Sequence, residues 1–186
     1  MQNLSDEAIM LKVVNGQIEQ LGLLFERYHV RLYNFYLRQV CDQDLSRDLT
    51  QNTFERVLKY KHTYRAEMPF KAWFYQIARN VKSDHFKKNK YDMKSLDDIQ
   101  YDRNLRLSEE DHSLEKKEHL QMLQNALQRL PEDKREILVM SQLEEMEYQQ
   151  IAEVYQITEN HARVRVHRAL KALKDVFWGG KVKDKK

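Results

Sequence analysis

Apolar residues recur at steps of three and four along most of the chain, which is the spacing of a buried stripe on an amphipathic α-helix. One stripe runs from Leu21 to Tyr36 and includes Phe25, and another runs from Leu45 to Leu58. The pattern predicts helices that begin near Ser5, Gln17, Asp44, Pro69, Leu114, Pro131, Tyr148 and Thr158. With only four glycines, two prolines and no alternating β-branched runs, it predicts an all-α fold.

The charge pattern divides the chain into two modules. Between residues 79 and 90, five basic residues oppose one acid, a net of +4, whereas between residues 92 and 111 seven acids oppose three basic residues, a net of −4. Helical periodicity fades over the acidic stretch, which is typical of a flexible linker. We therefore predict two small helical domains at 1–90 and 114–178, joined by a flexible linker at 91–113 and followed by a basic tail at 179–186.

The segment from Tyr64 to Lys90 interleaves aromatic and basic residues on a loop and the helix that follows it. One face of this helix is a core stripe, and the other carries Tyr75, Arg79, Lys82 and Phe86 at helical steps. Aromatic rings stack on unpaired bases, and Lys or Arg neutralises the flanking phosphates. The same composition is typical of a solvated basic helix, so the residues alone leave both interpretations open.

The last third of the chain has the spacing of a helix-turn-helix. A short helix from Tyr148 to Tyr155 is followed by a tight turn at Gln156 and Ile157, and Thr158 is placed to cap the next helix. The second helix has a buried stripe of small and apolar residues and an exposed basic N-terminal half. This arrangement favours binding in a DNA major groove, although an ordinary helical hairpin with a basic surface has the same pattern.

Composition narrows the function classes. The 186 residues are 41% hydrophobic, enough for one or two small domains, and the net charge of +3 is only weak evidence for a polyanionic partner. The single cysteine, Cys41, excludes an internal disulfide framework and fits a reducing cytosol. No His or Cys pair has metal-ligand spacing, and no charged leader or bilayer-length apolar run is present. We predict no metal, no cofactor and no membrane insertion.

In their order and spacing these features resemble the extracytoplasmic-function (ECF) sigma factors, the small bacterial RNA polymerase specificity subunits. The stretch from Asp48 to Phe54 resembles the family's polymerase-binding signature Asp-Leu-x-Gln-Glu-x-Phe, with Asn52 where Glu is usual. The stretch from Tyr64 to Phe70 is similar to the loop Phe-Arg-Gly-x-x-x-Phe, with Tyr for Phe and Ala66 for the usual glycine.

The resemblance extends over nearly the whole chain. Family positions in the first module are matched by Trp73, Ile77, Ala78, Asn80 and Asp84. In the second module, positions of sigma region 4 are matched by Leu130, Pro131, Arg135, Tyr148, Ile151, Ala152 and the run from Arg163 to Ala169, with Asn160 and His161 in place of the common Gly-Thr.

The resemblance implies a role for each module. Region 2 would dock on the beta-prime clamp helices of core RNA polymerase through Asp44, Asp48, Gln51, Asn52 and Glu55. It would capture and melt the minus-ten element with Tyr64, Arg65, Glu67, Tyr75, Arg79, Asn80, Lys82, Phe86, Lys87 and Lys88. Region 4 would contact the beta flap and read the minus-thirty-five element with Asn160, His161, Arg163, Arg165, His167 and Arg168.

The family thus implies a cytoplasmic transcription initiation factor that is not an enzyme and that binds duplex and single-stranded promoter DNA. It also implies an anti-sigma factor as a partner, which in many members holds the protein at the inner membrane. Two alternatives remain at this stage. A stand-alone helix-turn-helix regulator with a helical sensing or dimerisation domain would need no polymerase, and a site-specific DNA enzyme would need a catalytic nucleophile or metal carboxylates, for which the sequence offers no candidate.

Overall fold

The computed structural model describes the backbone of residues 4–92 and 114–183, with the side chains of residues 4–88 and 121–179. Every regular element in these ranges is helical, as the sequence pattern predicts. The α-helices are α1 (Asp6–Val14), α2 (Leu21–Val40), α3 (Gln43–Tyr60), α4 (Phe70–Asp92), α5 (Leu114–Gln128), α6 (Glu132–Leu138), α7 (Tyr148–Tyr155) and α8 (Glu159–Lys183). Apart from the end of α4, the predicted flexible linker lies outside the described residues.

The first module, α1 to α4, has a core of aromatic side chains. The ring centroid of Tyr28 on α2 lies 5.4 Å from that of Phe70 and 5.1 Å from that of Phe74, both on α4. Phe74 also packs against Phe54 of α3, and Phe35 of α2 makes an edge contact with Tyr75. Tilted aromatic pairs bury large areas and favour particular geometries, so they fix α4 against both neighbouring helices.

Local signals set the ends of these helices. The Ser5 side chain accepts a hydrogen bond of 3.2 Å from the Ala8 amide, which confirms the predicted cap of α1. Gly16, with φ of 98°, closes the same helix in a left-handed conformation that suits glycine. The Asp42 side chain caps α3 by accepting a hydrogen bond from the Leu45 amide. The helix therefore begins at Gln43, one residue before the predicted start at Asp44.

Two predicted core side chains face away from the core. Phe25 is 45% exposed and Leu58 is 37% exposed, so their assignment to the buried stripes of α2 and α3 is wrong. Both lie at the edge of their stripe, where spacing alone does not separate the last buried position from the first exposed one. The start of α2 also differs, because residues 18–20 form a 3₁₀ turn before the α-helix begins at Leu21.

The second module, α5 to α8, is held by a smaller aliphatic core. Its buried residues come mainly from α6, α7 and α8, and the predicted stripe of α8 is confirmed by Ala162, Val166 and Ala169, which are fully buried. After α6 the chain continues in a π-helical turn, Val139–Leu143, which leads to Glu144. No helix in the described ranges combines the length and the apolar character that crossing a bilayer requires.

The two modules pack against each other, with α7 on α4 and with α5 and α6 beside α2. The Arg135 guanidinium donates a hydrogen bond of 2.6 Å to the Gln39 carbonyl across this interface, and it also binds two carbonyls of its own module. The Gln128 amide lies 2.7 Å from the sulfur of Cys41. Hydrophobic spacing along the sequence does not predict that the two modules pack against each other.

Candidate nucleic-acid interface

The loop of residues 64–69, which precedes α4, is held by contacts from three sides. The Tyr64 hydroxyl donates a 3.0 Å hydrogen bond to the Met68 carbonyl and closes the loop on itself. Glu7 of α1 accepts a 3.1 Å hydrogen bond from the Phe70 amide, which satisfies a donor at the start of α4. The Trp73 indole donates to the Thr63 hydroxyl at 3.3 Å. The loop is therefore preorganised.

Within this loop the predicted DNA contacts separate into two groups. Arg65 and Glu67 are exposed, whereas Tyr64 is buried with its ring against Phe70 and Trp73. Burial raises the pKa of Tyr64 to about 12, with Glu7 and Asp6 adding to the effect. Tyr64 thus supports the loop, and Arg65 and Glu67 are its accessible polar side chains.

A cleft of about 640 Å³ lies beside the loop. Its walls include Arg65, Glu67, Trp73 and Gln76 from the first module, and Glu153 of α7 from the second. A cleft with an aromatic wall and several hydrogen-bonding groups suits a flat polar ring. In the observed arrangement, a carboxylate of the second module lines this cleft.

The predicted DNA face of α4 is divided by the structure. Asn80, Phe86, Lys87 and Lys88 are exposed, as expected. Tyr75 is fully buried and Lys82 is only 4% exposed, so the exposure predicted for these two is wrong, and Arg79 is half-buried. We call Tyr75, Arg79 and Lys82 the covered face of α4, because the second module packs on them.

Glu144 is one of two buried acids that meet these residues. Its carboxylate accepts a hydrogen bond of 2.5 Å from the Tyr75 hydroxyl and pairs with the Arg31 guanidinium at 3.2 Å. Its backbone carbonyl accepts a hydrogen bond from the Lys71 ammonium. Arg31, Lys71 and Tyr75 all belong to the first module, so Glu144 is directed at the partner module.

Glu136 of α6 is the other buried acid. One carboxylate oxygen lies 3.2 Å from the Arg79 guanidinium and 3.5 Å from the Lys82 ammonium. The other oxygen accepts a hydrogen bond of 3.2 Å from the Tyr155 hydroxyl. Lys82 also pairs with the more exposed Glu132 at 2.9 Å. We call Glu132, Glu136 and Glu144 together the acidic cover.

The pKa shifts follow from this geometry. Burial raises the pKa of Tyr75 well above its usual range, and the neighbouring Glu144 raises it further. Burial also raises the pKa of Tyr155, with Glu136 adding to the shift. The hydrogen bond and the charge of Lys82 lower the pKa of Glu132. Both tyrosines are therefore neutral donors to carboxylates near neutral pH.

Tyr155 of α7 lies beneath two guanidinium groups. The Arg79 guanidinium carbon is 4.1 Å from the ring centroid, and that of Arg165 is 4.6 Å from it. Arg79 also donates to the Val154 carbonyl at 3.4 Å. Guanidinium groups are attracted to the face of an aromatic ring. Tyr155 therefore contacts both Arg79, which is predicted to bind the minus-ten element, and Arg165, which is predicted to bind the minus-thirty-five element.

The predicted polymerase-binding residues share one side of α3. Asp44, Asp48, Gln51, Asn52 and Glu55 are all exposed. Asp44 pairs with Arg47 at 2.8 Å, and the Gln51 amide donates to Glu55 at 3.0 Å. These contacts are local to α3, so the polar surface remains open to a partner.

A groove of about 700 Å³ between α2 and α3 adjoins this surface. Its floor includes Phe25, Val30, Tyr33 and Phe54, and Gln51 and Glu55 lie on its rim. The sequence pattern does not predict this groove, because its spacing places Phe25 in the core. The available signal was Val30, an apolar residue that lies off the buried stripe.

The helix-turn-helix is formed as predicted. Gln156 adopts a left-handed conformation with φ of 53°, and the Ile157 amide bonds to the Ala152 carbonyl at 3.0 Å, which ends α7. The Thr158 hydroxyl accepts a 3.3 Å hydrogen bond from the His161 amide and caps α8. On the first turns of α8, the exposed predicted DNA contacts are Asn160, His161, Arg163, His167 and Arg168.

Arg165 differs from the other predicted contacts of α8. Its half-buried side chain lies over Tyr155 and 3.9 Å from Asp133, on the side where the modules meet. Arg163, by contrast, pairs with Glu159 at 3.1 Å on the exposed surface. A surface ion pair of this kind is weak and is readily exchanged for another anion.

Comparison with known proteins decides the family. Residues 24–91 match the model of sigma-70 region 2, and residues 120–173 match the model of sigma-70 region 4. The chain belongs to the sigma-70 family.

It is 27% identical over 161 residues to the ECF RNA polymerase sigma factor SigX of Bacillus subtilis, covering 84% of this chain and 82% of that protein. It is 29% identical over 156 residues to SigM of the same organism, covering 83% and 93%. These relatives place it in the ECF group.

Two solved structures share the fold of this sigma factor. CnrH in complex with the cytosolic domain of CnrY has a TM-score of 0.70 at 20% identity, covering 94% of this chain and 97% of that chain. The sigma factor RpoE from Bartonella quintana, in complex with the anti-sigma factor NepR, has a TM-score of 0.67 at 20% identity, covering 85% and 96%. Both confirm the predicted all-α fold class.

This ECF sigma factor is a transcription initiation factor that directs RNA polymerase to promoters. The region 2 match disfavours the stand-alone regulator, which would not need that module. Among the residues that the structure describes, no three or more His, Cys, Asp or Glu side chains form a group suited to a metal ion.

One departure from the family pattern fits the sigma factor's structure without strain. Within the described ranges, positive φ angles occur at Gly16, Cys41, Glu145 and Gln156. Ala66, which stands where the loop usually has glycine, is not one of them. Its backbone therefore takes a conformation that alanine adopts readily.

The acidic cover of this sigma factor is not among the sites that the sequence pattern predicts. Glu136 lies four residues before the buried Met140, on the buried side of its helix. The sequence signal that marks Glu136 is the position of an acid on an apolar stripe. A carboxylate that is buried there requires a partner, so its position indicates a contact with another part of the protein. Its cationic partner Arg79 lies fifty-seven positions earlier in the chain, so the local sequence does not identify it.

Proposed function

We propose that residues 1–90 act as region 2 and residues 114–178 as region 4, with residues 91–113 as the linker and 179–186 as a basic tail. Region 2 docks on the clamp helices of polymerase through the exposed side of α3 and captures the minus-ten element with the loop of residues 64–69 and α4. Region 4 contacts the beta flap and places α8 in the major groove of the minus-thirty-five element.

The exposed basic start of α8 is the observation that carries this proposal. Thr158 and the left-handed turn at Gln156 fix the helix, while Arg163, His167 and Arg168 extend from it into solvent. Arg pairs bidentately with guanine, and Lys or Arg also binds phosphate. The same helix therefore offers both sequence recognition and non-specific affinity.

For the minus-ten element, the loop and its cleft support capture of an unpaired base. Trp73 and Gln76 line the cleft, and Arg65 lies at the same site. A flipped base is held by stacking and by hydrogen bonds along its edge, which offset a few kcal/mol of lost duplex stacking. Asn80, Phe86, Lys87 and Lys88 continue this surface along α4.

For polymerase, the exposed polar side of α3 and its adjoining apolar groove support a protein contact. An interface of this type combines an apolar centre with a polar rim. Phe25 and Val30 supply the centre, while Gln51 and Glu55 supply the rim. Asp44, Asp48 and Asn52 extend the rim along the helix.

The proposal includes an anti-sigma partner, no catalytic activity and no cofactor. The two similar solved structures are complexes, one with the cytosolic domain of CnrY and one with the anti-sigma factor NepR, which supports such a partner here. The proposed place of action is the cytoplasm, or the inner membrane when a tethered anti-sigma factor holds the chain there.

A run-off assay tests the proposal. Purified protein is added to core bacterial polymerase with a promoter library, and complex formation is measured in parallel by co-purification. We expect stimulated initiation from a subset of promoters, and we expect Asp48→Ala with Gln51→Ala to weaken the polymerase complex. Glu19→Ala, an exposed acid outside α3, is the control. Absence of both stimulated initiation and a stable complex would overturn the proposal.

A further inference from the structure

The first turn of α4 is capped from outside its own segment. The residue before the helix is Pro69, whose ring offers no side-chain acceptor for the free amides that begin a helix. The Pro69 carbonyl accepts hydrogen bonds from the Ala72 and Trp73 amides, whereas the Phe70 amide donates to the carboxylate of Glu7. The acceptor at the start of α4 therefore comes from α1, sixty-three residues earlier in the chain.

Glu7 projects from a helix that is itself fixed on α2. The adjacent Asp6 accepts hydrogen bonds of 2.5 Å from both the Arg27 guanidinium and the Tyr28 hydroxyl. The Arg27 guanidinium also donates to the Leu4 carbonyl at 2.9 Å. The apolar side chains that α1 buries in the core are Ile9, Met10 and Val13. Because α1 is anchored in both ways, the half-buried Glu7 side chain has a defined position.

α1 contacts the segments on both sides of the loop of residues 64–69. Before the loop, it packs on the 3₁₀ turn Lys61–Thr63, and after the loop it contacts α4, where Glu7 meets the Phe70 amide. Thr63 of this turn and Trp73 in the first turn of α4 both line the cleft beside the loop. α1 therefore braces two segments that carry walls of the cleft.

We propose that Glu7 is a positioning residue for base capture in the minus-ten element. Its carboxylate fixes the Phe70 amide and with it the first turn of α4, so that the loop and Trp73 keep the geometry that an unpaired base requires. The inference rests on the proposed role of the loop and goes beyond it, because it adds a residue of α1 that lies outside the loop.

A carboxylate suits this position for two reasons. Its oxygen accepts the amide hydrogen bond, and a hydrogen bond to an ionised acceptor is stronger than one between neutral groups. Its negative charge lies at the N-terminal end of a helix of 23 residues, where the helix dipole favours an anion. Glutamine at the same position provides a hydrogen-bond acceptor without the charge, and alanine provides neither.

The two ends of the loop depend on different contacts. At the first end, the Tyr64 hydroxyl donates to the Met68 carbonyl, and the ring of Tyr64 packs on Trp73. At the second end, the Phe70 amide depends on Glu7. When this amide loses its acceptor, the start of α4 samples additional conformations, and affinity for a base falls with the fraction of molecules in the binding-competent one.

The test measures strand recognition by the chain bound to core polymerase. The probes are two short labelled single-stranded DNAs, one with the non-template minus-ten sequence of a promoter selected in the run-off assay and one with the same bases in scrambled order. Fluorescence anisotropy gives the affinity for each strand, and the ratio of the affinities gives the specificity. For Glu7→Ala we expect this ratio to fall roughly three- to tenfold, with unchanged affinity for the scrambled strand and for core polymerase.

The conservative variant tests whether the hydrogen bond is responsible. Glu7→Gln retains an oxygen that accepts from the Phe70 amide, so we expect it to recover most of the specificity ratio. Glu19→Ala removes an exposed acid from the segment between α1 and α2 and should match the wild type. A loss of specificity in Glu7→Gln as large as that in Glu7→Ala would overturn the proposal.

Val13→Ala controls for a loss of stability alone. This variant removes buried methyl groups from α1 and leaves the Glu7 carboxylate in place. We expect its melting temperature to fall at least as far as that of Glu7→Ala, because it leaves a cavity in the core, while its specificity ratio stays near that of the wild type. An equal loss of specificity in Val13→Ala would show that the stability of α1 is responsible and would overturn the positioning role of Glu7.

The outcomes also separate this inference from the proposed function. A wild-type chain that stimulates initiation but binds both strands equally overturns base capture by the loop, and the role of Glu7 with it. A wild-type chain that distinguishes the strands, together with a Glu7→Ala variant that does so equally well, overturns the role of Glu7 alone. Failure of the wild type to direct initiation in the run-off assay instead overturns the proposed function, on which the inference rests.

Discussion

The hydroxyl of Tyr75 on α4 donates a hydrogen bond of 2.5 Å to the carboxylate of Glu144, sixty-nine residues further along the chain. Neither group has access to bulk water, because Tyr75 is fully buried and Glu144 is buried as well. A helix proposed to bind promoter DNA is therefore tied, near its N-terminal end, to the second module.

Tyr75→Phe removes this donor while keeping the ring that packs on Phe35. Because a hydrogen bond to a charged group contributes about 1.5 to 3 kcal/mol, we expect the free energy of unfolding to fall by that amount. Urea denaturation followed by circular dichroism measures the change. Tyr60→Phe, at an exposed ring of the same module, is expected to stay within about 0.5 kcal/mol of wild type. Equal stability of both variants would contradict this account of Tyr75.

Arg163→Ala tests the recognition helix. If Arg163 makes a bidentate base contact, we expect a loss of about 1 to 3 kcal/mol in promoter binding and relaxed specificity at one base pair. Binding is measured on the promoter and its single-base variants at two salt concentrations. A uniform loss with a shallower salt dependence would instead make Arg163 a phosphate contact. Lys174→Ala, an exposed cation further along α8, is the control.

Acid is expected to weaken the contact between the modules. Glu132 faces Lys82, Arg135 and Arg79, and the hydrogen bond and charge of Lys82 hold its pKa below the ordinary value of 4.5. A lowered pKa means that the carboxylate's contribution is complete above pH 4.5 and is lost as the pH falls through the lowered value. Scattering between pH 6 and pH 3 should therefore show expansion at the acid end.

The comparison that isolates this residue is Glu132→Gln, which has no carboxylate to titrate at that position. Its side chain is 69% exposed in wild type, so the effect of the substitution is modest. We expect the variant to be slightly more open than wild type at pH 6 and to change less on acidification. Identical pH profiles would show that Glu132 takes no part in the transition.

Gln156→Gly is expected to stabilise the helix-turn-helix. Gln156 has φ of 53°, a left-handed conformation in which a Cβ atom is unfavourable. Glycine relieves this strain, but its greater flexibility in the unfolded chain offsets part of the benefit. We expect the free energy of unfolding to rise by about 0.5 to 1 kcal/mol. Thermal denaturation measures it, with Gln149→Gly inside α7 as a control that should lose stability. A loss at both positions would contradict the expected relief of strain.

Much of the fold was predictable because its signals are local. The cap at Ser5, the cap at Thr158 and the buried stripe through Ala162 and Val166 each depend on residues within one or two helical turns. The accessible part of the candidate site was also predictable. Arg163 and His167 of α8 are exposed where the spacing placed them.

The predictions of burial and exposure were wrong where the position of a residue on its helix does not decide whether it is buried. Phe25 lies at the edge of a stripe and faces a groove beside α3. Tyr75 and Lys82 lie on the side of α4 that spacing marked as exposed, and the other module covers both. Hydrophobic periodicity identifies which residues share a face, but it carries no information about what packs on that face.

The sequence by itself determined the helices, the division into two modules and, through its motifs, the family. Only the tertiary structure decided that Arg79 and Lys82 meet Glu136 instead of solvent. The physical reason is that helix formation depends on neighbours within a few residues, whereas ion pairing across an interface depends on the placement of charges from distant segments. In this sigma factor, that placement joins the proposed minus-ten surface to the acids of region 4.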